Sequence, residues 1–217
     1  MDYAIILASI SLLFSIAALW ATSFRRGRLR MTPPSVVYFG PDGGRSLGKP
    51  LPEKVFFRAL LWSEGARGQV VQQLFISLRR GDANIGFSIW TYGDERQVRG
   101  SGFFIPPTGI ATNHHFLRQK SQGDGRVFLA GDYTLEVWAT TLNNVRTMLW
   151  RGSFTIDATQ ANKAADNQRG VYFDLVPTTG NYEAHIGEKL SDVEDNVPNS
   201  ILRMLEATAP KGKPDVP

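Results

Sequence analysis

The sequence predicts an all-β fold, an antiparallel β-sandwich preceded by one N-terminal transmembrane helix. Three observations carry that expectation. Apolar and polar residues alternate through several segments, such as "QVVQQLFISLRR". Joints rich in Gly, Asn and Asp separate those segments, as turns require. The run from Tyr3 to Phe24 holds no charge.

The charge-free run comes first in the chain. Its 22 residues would span about 33 Å as a helix, against a hydrocarbon core of about 30 Å. Trp20 lies near its end, where amphipathic aromatics favour the headgroup level. A cleaved signal peptide would need a basic start and a small-x-small cleavage site. This chain begins "MDY", and arginines follow "ALWA" at once. Residues 1–24 are therefore expected to be an uncleaved anchor in the lipid bilayer.

Arg25, Arg26, Arg28 and Arg30 follow in "SFRRGRLR". Basic residues flanking a span stay in the cytoplasm, so the expected topology is single-pass, with the N-terminus outside and the C-terminal domain cytoplasmic. The four arginines would also touch anionic headgroups. Residues 25–34 are expected to form a basic juxtamembrane linker. Along the anchor, Ala4, Ala8, Ser11, Ser15, Ala18 and Thr22 form a heptad-like stripe of small residues. Small residues let helix backbones approach in a bilayer, so a homo-oligomer through this helix is expected.

Charge and cysteine content exclude several function classes. The formal net charge is +4, and the arginine cluster alone carries that much. Residues 31–157 hold 14 Lys and Arg against 10 Asp and Glu, and residues 158–217 hold 6 against 9. No basic stripe remains in the folded part, which disfavours nucleic acid as a partner. The chain has no cysteine, which rules out disulfides, thiolate nucleophiles and Cys-ligated zinc.

Strand signals fill residues 35–157. "SVVYF" reads as a first strand and "EKVFFRALLW" as a second. "QVVQQLFISLRR" places Val70, Leu74, Ile76 and Leu78 on one face and Gln73, Ser77 and Arg79 on the other. "NIGFSIWTY" sets Ile85, Phe87 and Ile89 against Ser88, Trp90 and Tyr92. The expected core includes Phe57, Leu74, Ile76, Phe87, Ile89, Leu135 and Val137. "GFFIP", "IATNHHFL", "GDYTLEVWATTL" and "VRTMLWRGSFTI" continue the pattern. Asn143-Asn144 joins the last two, since Asn tolerates the positive φ of a tight hairpin.

One of these segments, "LAGDYTLEVWA" from Leu129 to Ala139, resembles the penultimate strand of immunoglobulin-like sandwiches. The resemblance covers eleven residues. It implies a corner role for Tyr133, whose hydroxyl would bond back to the backbone, and core positions for Leu135 and Val137. It implies a fold and no function; the paired core cysteines of antibody domains are absent.

Residues 158–217 form a polar, acidic tail with a possible extra strand at 170–176 and a short helix at 198–207. "PKGKPDVP" has the composition of a disordered terminus.

No phosphate loop, Rossmann fingerprint, nucleophile elbow or zinc-protease helix is present, and no cofactor is expected. His114 and His115 are the most tempting chemical groups. Adjacent strand residues point to opposite faces, so the pair cannot share one metal without a bulge. The candidate binding residues are Asn113 and His114, with Trp90 and Tyr92, the last two expected on a solvent face. The function read from these features is a membrane-anchored β-sandwich that binds a protein partner at the cytoplasmic face. A ligand sensor coupled to anchor assembly is the alternative, and an enzyme with a site near His114 is a second one.

Overall fold

A computed structural model describes residues 2–20, 27–42, 52–118, 127–142, 144–166 and 169–187. The short helix expected at 198–207 lies outside the described residues, as do Arg25 and Arg26. The first element is a helix, α1 (Asp2–Leu19), and it corrects the expected anchor. It has 18 residues including the charged Asp2, so its uncharged part spans about 25 Å, short of a hydrocarbon core of about 30 Å. Among the described residues no helix is long and apolar enough to cross a membrane. The transmembrane helix, and the single-pass localisation with an outside N-terminus built on it, are therefore not supported.

The remaining fold is antiparallel β, as expected. Leu29 already belongs to a strand, β1 (Leu29–Met31), whose Arg30 pairs with Glu64 at 2.8 Å while Arg28 is exposed. The following strands are β2 (Val36–Pro41), β3 (Glu53–Ser63), β4 (Gln69–Arg80), β5 (Ala83–Tyr92), β6 (Val98–Arg99), β7 (Phe103–Ile105), β8 (Ile110–Arg118), β9 (Gly131–Thr141) and β10 (Arg146–Ile156). A helix, α2 (Ala158–Asp166), then leads to β11 (Val171–Leu175) and β12 (Tyr182–Ile186). Nine strands form one hydrogen-bonded path, β10-β9-β4-β5-β8-β3-β2-β11-β12, and β1, β6 and β7 pair with β3, β5 and β4 within it. This continuous path does not establish the two separate sheets of an immunoglobulin-like sandwich.

The sheet curls until its two ends meet without backbone pairing. Trp150 and Phe154 on β10 touch Tyr182 on β12, at ring-centroid distances of 6.1 and 4.9 Å. Next to this seam lies α2. Its start is a capping box: the Gln160 amide donates to the Asp157 carboxylate at 2.7 Å, and the Asp157 amide donates to the Gln160 side chain at 3.0 Å. Gln160 also reaches the Ala184 carbonyl on β12 at 3.4 Å, occupying an otherwise open edge group.

Inside the curl sits one apolar core. Phe57, Leu74, Ile76, Phe87, Leu135 and Val137 have no exposed surface, as the alternation predicts. Ile89 does not join them. The β5–β8 register shifts between Phe87 and Ile89, so Phe87 and the next buried residue are three positions apart. A bulge adds one residue and inverts the alternation beyond it, and Trp90 takes the inward place. A second shift, between Val71 and Gln73 on β4, buries Val71 where the alternation selects Val70.

Two local expectations hold. The Tyr133 hydroxyl accepts from the Leu129 amide at 2.8 Å and directs its proton to the Leu129 carbonyl at 2.6 Å, with Val127 at 3.0 Å. It thereby forms the corner. Asn144 adopts φ +56° in the β9–β10 connection.

Candidate functional site

His114 and His115 are neighbours in β8, and the sheet separates them. His114 points into the core, where it has no exposed surface. The Trp90 indole N–H donates to its Nδ1 at 3.2 Å. That contact fixes the neutral tautomer with the proton on Nε2, and Nε2 has no hydrogen-bond partner among the described residues. The rings of Phe57, Phe103 and Phe116 surround it at 5.3, 6.1 and 6.5 Å. Burial, followed by the nearby His115, pushes its pKa down to about 3. Trp90 is itself only 1% exposed, because the Gly100 backbone lies against its indole: a Cβ on Gly100 would overlap that ring. Tyr92 is half-buried and packs on Trp90 and Phe103 at 5.4 and 4.4 Å. Trp90, Tyr92 and His114 are therefore brought together, but with Trp90 and His114 inside the core and Tyr92 half-buried against it. The expected solvent face for Trp90 is corrected by the bulge in β5. His114 has no route to solvent and no carboxylate partner among the described residues, the two features that the enzyme reading requires.

Asn113 lies on the opposite, outer face. Its side-chain oxygen accepts from Arg58 at 3.1 Å, and its amide donates to Asp94 at 2.9 Å. Arg58 also donates to Asp94 at 2.9 Å, and Gly93 donates to the Asn113 carbonyl at 3.0 Å. The Asn113 amide, then the Arg58 guanidinium, hold the Asp94 carboxyl below the usual carboxylate range. This group fastens the turn after β5 to the sheet.

Beside Asn113 the outer face carries a feature that the sequence reading missed. The registers align His115, Phe56, Tyr38, Tyr172 and His185 in one row across β8, β3, β2, β11 and β12. Phe56 packs on His115 at 4.9 Å, Tyr38 on Tyr172 at 4.7 Å, and Tyr172 stacks on His185 at 5.5 Å. The Tyr38 ring spreads over Gly40 and Gly170, where a Cβ would overlap it. Its hydroxyl donates to the Pro41 carbonyl at 2.9 Å, and burial keeps the Tyr38 and Tyr172 phenols protonated. Burial, with Lys54 nearby, lowers the pKa of His115 to about 4, so both ring systems are uncharged at neutral pH. Two ion pairs border the row, Lys54 with Asp42 at 2.9 Å and Arg58 with Asp94 at 2.9 Å, and the His185 imidazole lies 3.3 Å from the Asp174 carboxylate. Exposed Glu183 stands opposite Asp174, giving the β11–β12 end an acidic rim.

A usable signal was present in the sequence. The triplet Val-Tyr-Phe occurs at Val37-Tyr38-Phe39 and again at Val171-Tyr172-Phe173. In a strand such a triplet turns its outer residues to one face and its tyrosine to the other. Here Val37, Phe39, Val171 and Phe173 are buried, and the two tyrosines face outward as direct partners.

Among the described residues no group of three His, Asp or Glu side chains is placed to hold a metal ion. No family model matches the chain, and no curated protein is a significant match.

Proposed function

We propose that this chain is a binding module, and that the outer row from His115 to His185 receives an extended peptide segment of a partner protein. The observation that carries the reading is the alignment of five ring side chains across five adjacent strands. Four of these rings, His115, Phe56, Tyr38 and Tyr172, are half-buried on a regular sheet and so are held in place before binding, which lowers the ordering cost of association. The spacing suits a polyproline II segment lying across the strands. Two strand separations are about 9.6 Å, and one turn of that helix is about 9.3 Å. One proline per turn would then meet alternate rings, and the Tyr172 hydroxyl would face a carbonyl of the segment. The acidic rim at Asp174 and Glu183 favours a basic residue at one end of the ligand.

The anchored form of this function is not carried forward, because no described helix crosses a membrane. The Tyr133 corner supports kinship with immunoglobulin-like sandwiches as the finer reading of the fold.

Titration of the ¹⁵N-labelled full chain with a Pro-Pro-Arg-Pro-Pro-Arg peptide tests the proposal. Saturable shifts are expected at Phe56, Tyr38 and Tyr172, and Tyr172→Ser should weaken binding at least tenfold. Shifts confined to other faces, or none at millimolar peptide, would overturn it.

A further inference from the structure

A second outer face, on β4, β9 and β10, has the opposite charge character. Phe75, Trp138 and Met148 form its central row, in direct register across the three strands. The Phe75 and Trp138 rings are parallel within 9° at 6.3 Å, and Met148 is 40% exposed. Arg146 occupies the row on one side and Arg151 the row on the other, with Arg79 one row further on β4. All three arginines are exposed. The sole carboxylate in these rows, Glu136, is already neutralised: it accepts from Arg151 at 2.7 Å and from the Trp138 indole at 3.1 Å. Arg146 and Arg79 have no carboxylate partner among the described residues; Arg146 instead lies over the Phe75 ring at 5.9 Å. The face thus presents two uncompensated guanidinium groups on either side of an apolar row.

We infer that this face is a docking surface for an acidic, extended peptide segment of a partner protein, independent of the aromatic row on β8 to β12. Charge complementarity selects the sign of the ligand. Register selects its pattern. Same-face residues along a strand are about 6.8 Å apart, in the sheet and in an extended ligand alike. A segment lying along β9 therefore places a carboxylate at Arg146, an apolar side chain two residues later over Trp138 and Met148, and a second carboxylate four residues beyond that, at Arg79. The position between meets the Arg151–Glu136 pair and takes a neutral polar residue. Single-stranded nucleic acid fits less well. The Phe75 face that a base would stack on is occupied by Arg146.

The probe is the peptide Glu-Ser-Leu-Ser-Ser-Ser-Glu, titrated into the full chain by isothermal calorimetry at low salt. Saturable binding is expected, weakened at least tenfold by Arg146→Ser with Arg79→Ser, and by replacing both peptide glutamates with glutamine. Met148→Ser should weaken it severalfold. The charge-reversed pair, Arg146→Glu and Arg79→Glu with the peptide carrying lysines, should restore binding and so separates recognition from misfolding. Equal affinity for the glutamine peptide, no saturation, or tighter binding of a ten-nucleotide thymidine oligomer would each overturn the inference. Failure here leaves the proline-rich reading standing, because that titration reports on other residues.

Discussion

The two faces of β8 use the same side chains to opposite ends. Inward, His114 meets Trp90, Phe57, Phe103 and Phe116, and water is excluded. Outward, His115 meets Phe56 at the head of a row that continues through Tyr38 and Tyr172 to His185. The inner rings interlock, and the Gly100 backbone lies against Trp90. The outer rings lie side by side and keep part of their surface for solvent. The difference teaches that aromatic content alone does not identify a site. What matters is whether a ring's outer edge has already been covered by the chain itself. On that criterion Trp90 and His114 are core side chains, and the row proposed for recognition consists of rings that alternate with the core.

The sharpest way to break this comparison is to truncate one ring on each side. Trp90→Ala should destabilise the protein by roughly 3–5 kcal/mol, as for a large aromatic in a packed core. Tyr172→Ser should lower stability by about 1 kcal/mol or less, since its ring is only half-buried. Urea unfolding of both variants measures the difference, and equal losses would mean that the outer row is structural.

Acid should unfold the protein through its inner face. The folded pKa of His114 lies at about 3 and that of His115 at about 4, both below the ordinary value of about 6.5. In that interval the unfolded chain binds more protons than the folded one, so stability falls as pH drops below about 6.5. The His114 contribution should reach on the order of 3 kcal/mol by about pH 4, and half-buried His115 should add less. His114→Phe should flatten the slope of unfolding free energy against pH over this window, whatever its effect at pH 7. An unchanged slope would mean that His114 is not sealed.

Smaller effects sharpen the picture at its edges. Tyr133→Phe should cost about 1 kcal/mol, the net worth of the corner hydrogen bonds, read as a lowered urea midpoint with an unchanged slope. Asp157→Ala should cost somewhat less, about 0.5–1 kcal/mol, by removing the N-cap of α2. If it also raised hydrogen exchange at β12 amides, the role of α2 beside the seam would be supported; no change there would reduce α2 to a connector.

The strands were legible in the sequence wherever alternation ran unbroken. Phe57, Ile76, Leu135 and Val137 are read correctly because each sits in a run where the period-2 register is unbroken. The Tyr133 corner was legible too, since its geometry is set within the five residues from Leu129 to Tyr133. The candidate site was legible only in part. Asn113 does lie beside the aromatic row, but Trp90 was assigned the wrong face, and Tyr38, Phe56 and Tyr172 were not singled out.

What the sequence by itself determined is the chemistry of each strand: which segments extend, where they turn, and which side chains alternate. Those properties come from local sterics and solvation, and they act within a few residues. Tertiary structure decided the rest. The bulges at Phe87/Ile89 and Val71/Gln73 arise where one strand must match the registers of its neighbours, and no single strand encodes its neighbours' spacing. The row from His115 to His185 exists only because five strands from three separate parts of the chain pair in one register. Among the described residues α1 runs from Asp2 to Leu19, a length that a count of charge-free residues does not contain.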